Sequence, residues 1–171
     1  ELKIELDINA SLSTIVSVLE SVDYYTNWVY SCIQSELIEN IKLGEFYYYV
    51  EMDLPWPICN RDIVQHSILA QDTSTLIIDI KTLTKADNKK VKEKDGIVRV
   101  KRGNINWILT PITKNKTHVY YYLVTDPGGN IPAWLINMAI EVGPTNSMKK
   151  LKDAVLLDNF NGKAKHVIDF K

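Results

Sequence analysis

Phe46-Tyr47-Tyr48-Tyr49-Val50-Glu51-Met52-Asp53-Leu54 is the stretch that decides the fold. Phe46, Tyr48, Val50, Met52 and Leu54 fall on one face, and Tyr47, Tyr49, Glu51 and Asp53 on the other. A strand sends successive side chains to opposite sides, so this alternation predicts a half-buried strand. Pro55 and Pro57 end it, because proline cannot donate to a ladder. On the C-terminal side, strands are predicted over 63–69 and 76–80, with a turn at Asp72 to Ser74. They resume at 97–101, 105–112 and 118–125, with turn signals at Gly103-Asn104 and Asn115-Lys116. On the N-terminal side, 31–42 reads as a weaker strand. Before it, Ser11 or Ser13 can cap a helix whose apolar face is Ile15, Val18, Leu19 and Val22. Leu2 to Ile8 alternates again.

Beyond the turn Asp126-Pro127-Gly128-Gly129 the period becomes that of a helix. Leu135, Met138, Ala139 and Val142 form one stripe; Met148, Leu151, Val155 and Leu156 form another. Gly143-Pro144 between them should kink the helix or end one and start the next. The tail over 158–171 has no clear period. Sequential strands with short turns pair as a meander, and a curved sheet needs its apolar face covered. The expectation is an α+β fold of one domain over 1–171. In it, a curved antiparallel sheet wraps around a long C-terminal helix, with an apolar cavity between.

The composition bounds the function. The chain has 171 residues, 46% hydrophobic and 24% charged, which is ordinary for a globular domain and argues against disorder. The formal net charge of −1 gives no global attraction to nucleic acid. No apolar run approaches the ~20 residues that span a bilayer. The sequence starts at Glu1, inside a strand pattern, so a processed or trimmed N-terminus is expected. That leaves cytoplasmic, periplasmic and secreted locations open. Cys32 and Cys59 are read as ordinary small apolar residues, not as a staple.

Several motifs together resemble the StAR-related lipid transfer (START) domain family, within the wider helix-grip superfamily. Leu54-Pro55-Trp56-Pro57, then Arg61-Asp62 and Val64, is similar to the family signature between two central strands. Asp23, Tyr24 and Trp28-Val29 precede it in family order. Val98-Arg99-Val100, Trp107, Leu109, Pro111, Tyr121, Asp126 to Gly129, Ile131-Pro132, Trp134-Leu135 and Asn137 follow, with Gly143-Pro144 inside the last helix. The resemblance runs from about Leu6 to Leu156. It implies a helix-grip fold and a module that encloses a lipid or similar hydrophobic molecule, without cofactor. Two departures stand out. The helix and strand that would precede Leu2 are missing or trimmed. Where several sterol-binding members carry a cavity arginine, this chain reads Gln65-His66-Ser67, so neither their buried ion pair nor a sterol is carried over.

Phe46, Tyr48, Val50, Met52, Ile78, Ile80, Trp107, Leu109, Tyr121, Leu135, Met138, Ala139 and Val142 are the candidate cavity residues, with hydroxyls of Tyr48 and Tyr121 to orient a ligand. Plain core packing explains any one of them equally well. Arg61 and Asp62 are adjacent on a strand and so point apart, which favours a structural role at the turn over catalysis. His66, His118 and His166 lack metal-ligand spacing, and no metal or catalytic constellation is recognised. The stretch Thr84 to Gly96, with Lys89, Lys90 and Lys92, falls where START domains place a mobile loop. It is expected to gate the cavity and dock transiently on an anionic membrane, the alternative being a solvated charged loop. The favoured function is binding, and possibly intermembrane transfer, of a lipid. Two others stay open: a cyclase- or hydrolase-like enzyme of the same superfamily, and a protein-interaction domain with a collapsed cavity.

Overall fold

The structure is a computed structural model that describes residues 1–129, 131–132 and 142–170. The chain opens with β1 (Leu2–Ile8) and helix α1 (Leu12–Glu20), followed by one 3-10 turn (Val22–Tyr24) and the short α2 (Tyr25–Trp28). Next come β2 (Cys32–Lys42), β3 (Glu45–Met52), β4 (Arg61–Gln71) and β5 (Ile78–Thr84). The two-residue β6 (Val98–Arg99), β7 (Arg102–Thr113) and β8 (Lys116–Asp126) complete the sheet, and α3 (Gly143–Ala154) follows.

The sheet order is β1-β8-β7-β5-β4-β3-β2, with every neighbour antiparallel and β6 lying parallel beside the start of β4. Short turns join β2 to β3 and β7 to β8, as the alternating patterns require. Pairing β1 with β8 is the long-range step, since it sets Leu2 opposite Leu123. The edges are therefore β1 and β2. Against β3, β2 slips register three times. Each slip leaves one β2 residue without an opposite number: Ile33, Ile38 and Ile41.

The curved sheet packs one face against the helices. Ser11 caps α1, its hydroxyl accepting from the Thr14 N–H at 3.3 Å. This hydroxyl satisfies an amide that the helix start would leave orphaned. Leu12 to Leu19 are all buried, because the tail covers the side of α1 that the sheet does not. Ser13, the other capping candidate, instead bonds the carboxylate of Asp169 through both its amide and its hydroxyl. The Ser17 hydroxyl accepts from the Ala164 amide at 2.8 Å, and Phe160, Ala164 and Val167 join the core. Aperiodic sequence thus becomes ordered packing by lying along a helix already formed.

Element ends differ from the sequence expectation where turns intervene. Leu76 has a φ of 61°, so it belongs to the turn and β5 begins at Ile78. Around it, the Asp72 carboxylate accepts from the amides of Ser74 and Thr75, both at 2.8 Å. At the other end of the fold, α3 starts at Gly143 with Pro144 in its first turn, where a missing N–H costs nothing. The stripe formed by Leu135, Met138 and Ala139 lies outside the described residues.

Candidate functional site

Between the inner face of the sheet and α3 lies a cavity of about 260 Å³. Strand alternation builds its walls. Tyr48, Val50 and Met52 come from β3, Ile63, Gln65 and Ser67 from β4, and Ile80, Thr82 and Thr84 from β5. Trp107 of β7 and Tyr121 of β8 close the far side, their rings edge to face with centroids 4.5 Å apart. Tyr25 and Trp28 of α2 and Pro144, Ser147 and Met148 of α3 form the roof. Among the described residues, the polar ones on the wall are neutral apart from Arg61. Burial pushes the Tyr48 and Tyr121 phenols well above their ordinary value of 10.0, so both stay protonated hydrogen-bond donors at any physiological pH.

Of the candidate cavity residues, Tyr48, Val50, Met52, Ile80, Trp107 and Tyr121 come together on these walls. Phe46, Ile78 and Leu109 face the same side but sit in solid core, the last two with no exposure at all. That end of the sheet is filled by α1 and the tail, which the sequence pattern did not place there. Val142 is 43% exposed and off the wall, because the inward side of α3 is presented by Gly143, Pro144, Ser147 and Met148. The sequence reading missed the polar residues Gln65, Ser67, Thr82, Thr84 and Thr125 on the walls. Their signal was available in the period of two: Ile63-Gln65-Ser67 and Ile80-Thr82-Thr84 share one phase, but polar side chains on an inward face do not register as core.

Arg61 and Asp62 point to opposite sides of β4. Asp62 turns outward into a bidentate pair with Arg99, at 2.7 and 2.8 Å, both side chains 1% exposed. The same guanidinium also donates to the Val91 and Lys92 carbonyls at 3.4 and 3.3 Å, tying down the loop before β6. Arg61 turns inward to the cavity wall and donates to the carbonyls of Cys59, Pro127 and Gly128. It therefore pins the turn after β8 to the start of β4.

The lysine loop lies elsewhere than expected. None of residues 85–97 lines the cavity. The loop crosses the outer face of the sheet, where Lys90 pairs with Glu39 of β2 and Lys94 with Glu51 of β3 at 3.0 Å. Burial opposes ionisation of Glu51, yet bonds from Lys94, Asn60 and Tyr49 hold its carboxyl below the ordinary 4.5. Lys89, Lys90 and Lys92 thus belong to a strap on the convex side, drawn there by acidic residues of β2 and β3. The histidines are also off the cavity wall: His66 faces Glu45, His118 faces Asp7, and His166 faces Glu20.

A curved sheet closed on a C-terminal helix around a mainly apolar chamber defines the class of helix-grip, ligand-enclosing domains. Within that class the chain belongs to the START domain family, whose model matches residues 5–157. An uncharacterised protein of Pseudomonas aeruginosa is 32% identical over 148 residues, covering 86% of this chain and 71% of that one. Human phosphatidylcholine transfer protein is 28% identical over 160 residues, covering 85% and 68%. Among solved structures, a fragment of a STAR-related lipid transfer protein from Xanthomonas axonopodis superposes with a TM-score of 0.81 at 27% identity, covering 91% of this chain and 85% of that one. Human STARD10 superposes with a TM-score of 0.76 at 20% identity, over 91% and 64%, a likeness of fold.

Proposed function

We propose that this chain binds one lipid-like molecule in the cavity and carries it between membranes. The observation behind this reading is the chamber between sheet and α3, mainly apolar and walled, among the described residues, by five strands and three helices. An apolar chamber with a few polar groups suits a molecule with long hydrocarbon parts, which gains about 0.8 kcal/mol per buried methylene. Relatives named for phosphatidylcholine transfer support the same function. Carriage requires contact with a bilayer, and we assign that contact to a transient encounter with an anionic surface.

Native mass spectrometry of the purified chain, followed by analysis of its organic extract, tests the binding step. The expected result is a complex of one chain with one lipid, released on denaturation. A chain that stays empty after incubation with vesicles of mixed phospholipids and neutral lipids would refute the reading.

A further inference from the structure

Three polar residues of the cavity wall, Arg61, Thr84 and Thr125, bear on the choice of head group. Register sets Gly103 of β7 opposite Thr125 of β8. A Cβ placed on Gly103 would come within 2.8 Å of the Thr84 Oγ1 and 3.4 Å of the Thr125 Oγ1. The absence of a side chain at Gly103 therefore lets the two hydroxyls close over its Cα as a cradle, and all three residues are on the cavity wall. The Thr84 hydroxyl is buried and has no hydrogen-bond partner. Buried polar groups are almost always partnered, so this one marks a place where a ligand atom belongs.

Arg61 is tied to the same end of β8, since its Nε donates to the Pro127 carbonyl two residues past Thr125. Its residue exposure is 6%, and among the described residues no carboxylate pairs with it. Three carbonyls take one N–H each, which leaves one donor on each terminal nitrogen. A buried cation solvated only by carbonyl dipoles still lacks a counter-charge, and burial of an unpaired charge is costly. No aspartate or glutamate is among the described wall residues. Among the described residues the wall thus supplies positive charge and hydroxyls, and no carboxylate to pair with a cationic head group.

We propose that Arg61, Thr84 and Thr125, around the space left by Gly103, form a site for the anionic oxygens of a lipid head group, a phosphate or carboxylate without a cationic part. This rests on the lipid-binding reading and narrows it to anionic lipids in preference to zwitterionic or uncharged ones.

The test presents the lipid-free chain with one mixed vesicle. The vesicle contains phosphatidic acid, phosphatidylcholine and diacylglycerol of identical acyl chains in equal amounts, with oleate added in a parallel sample. Because every lipid shares one surface, docking is common to all, and the captured lipids counted by native mass spectrometry report the cavity alone. The expected result is capture of phosphatidic acid at least tenfold over diacylglycerol and over phosphatidylcholine. Gly103→Ala, which fills the cradle, and Thr84→Val, which removes the unpartnered hydroxyl, should each reduce that ratio threefold or more. Far-UV circular dichroism and an unchanged urea m-value should show that both variants fold. Equal capture of all three lipids, or a ratio unmoved by both variants, would overturn the head-group site and leave lipid binding standing. Capture of no lipid at all would sink both. Inorganic phosphate that raises the melting temperature as much as phosphatidic acid would show a free-anion site and also overturn the proposal.

Discussion

Asp62 and Arg99 carry more structural weight than any other charged pair described. Two carboxylate oxygens meet two guanidinium nitrogens with both side chains 1% exposed. Removal of one partner strands a buried charge, at a cost of about 3–5 kcal/mol. Asp62→Ala should therefore lower the urea midpoint strongly at unchanged m-value. Replacement of both partners by apolar residues should recover a large part of the loss, and a double variant no better than the single one would contradict this account. The cysteines make a second test at the same scale. Burial pushes the Cys32 thiol up to about 11, whereas Cys59 is exposed and both are free. The thiolate is the reactive form, so at pH 8 a thiol reagent should titrate Cys59 promptly in the native chain and Cys32 only on unfolding. As pH rises from 9.0 to about 11, the buried neutral thiol stops favouring the fold, since the unfolded chain ionises first.

Among the elements, the tail and the lysine strap behave opposite to their sequence appearance. The tail lacks period, yet Phe160 is 6% exposed and packs against Tyr24, the rings tilted with centroids 5.0 Å apart. Phe160→Ala should cost about 3–5 kcal/mol, as for other buried aromatics, and calorimetry should show a clear drop in melting temperature. An unchanged melting temperature would mean that the tail is dispensable. The strap tests how the chain meets a bilayer. Changing Lys89, Lys90 and Lys92 to glutamate breaks the ion pair of Lys90 with Glu39, and each cationic side chain contributes about 1 kcal/mol at an anionic surface. If the convex side docks, transfer from anionic vesicles at low salt should slow at least tenfold; equal rates would exclude the strap from docking. Legibility in the sequence followed periodicity. The strands of Tyr48, Trp107 and Tyr121 were readable because two-residue alternation survives in any context. The filling of the sheet beside Phe46, Ile78 and Leu109 was not, because it depends on contacts between the tail and α1, which are far apart in sequence. Arg61 was legible as structural from its neighbour pointing the other way, but its place on the cavity wall was not. Nor was the path of the strap, which follows pairings with Glu39 and Glu51 that are distant in sequence.

For the molecule as a whole, the cavity links stability to cargo. A space of about 260 Å³ in the middle of a small fold deprives its walls of contacts that a ligand restores. A ligand held at a hundred times its dissociation constant adds about 2.7 kcal/mol to the folded state. Chain stripped of lipid by organic-phase exchange should melt several degrees lower than chain purified with its cargo. Adding back the extracted lipid should restore the higher value. Coincident melting curves would mean that the cavity is not where the lipid sits.

The three isoleucines left over along β2 have a consequence for behaviour at high concentration. An open sheet offers its outermost strand as a template, and flat, regular borders recruit neighbouring copies into fibres. Here Ile33, Ile38 and Ile41 interrupt the row of backbone donors and acceptors at intervals too short for a second strand to find a continuous match. Glu36, Glu39 and Lys42 add charge along the same border. Deleting Ile38 and Ile41 would straighten the border and remove its safeguard. The shortened chain should form thioflavin-positive aggregates at concentrations where the parent stays clear, because the irregular margin of β2 is what blocks polymerisation.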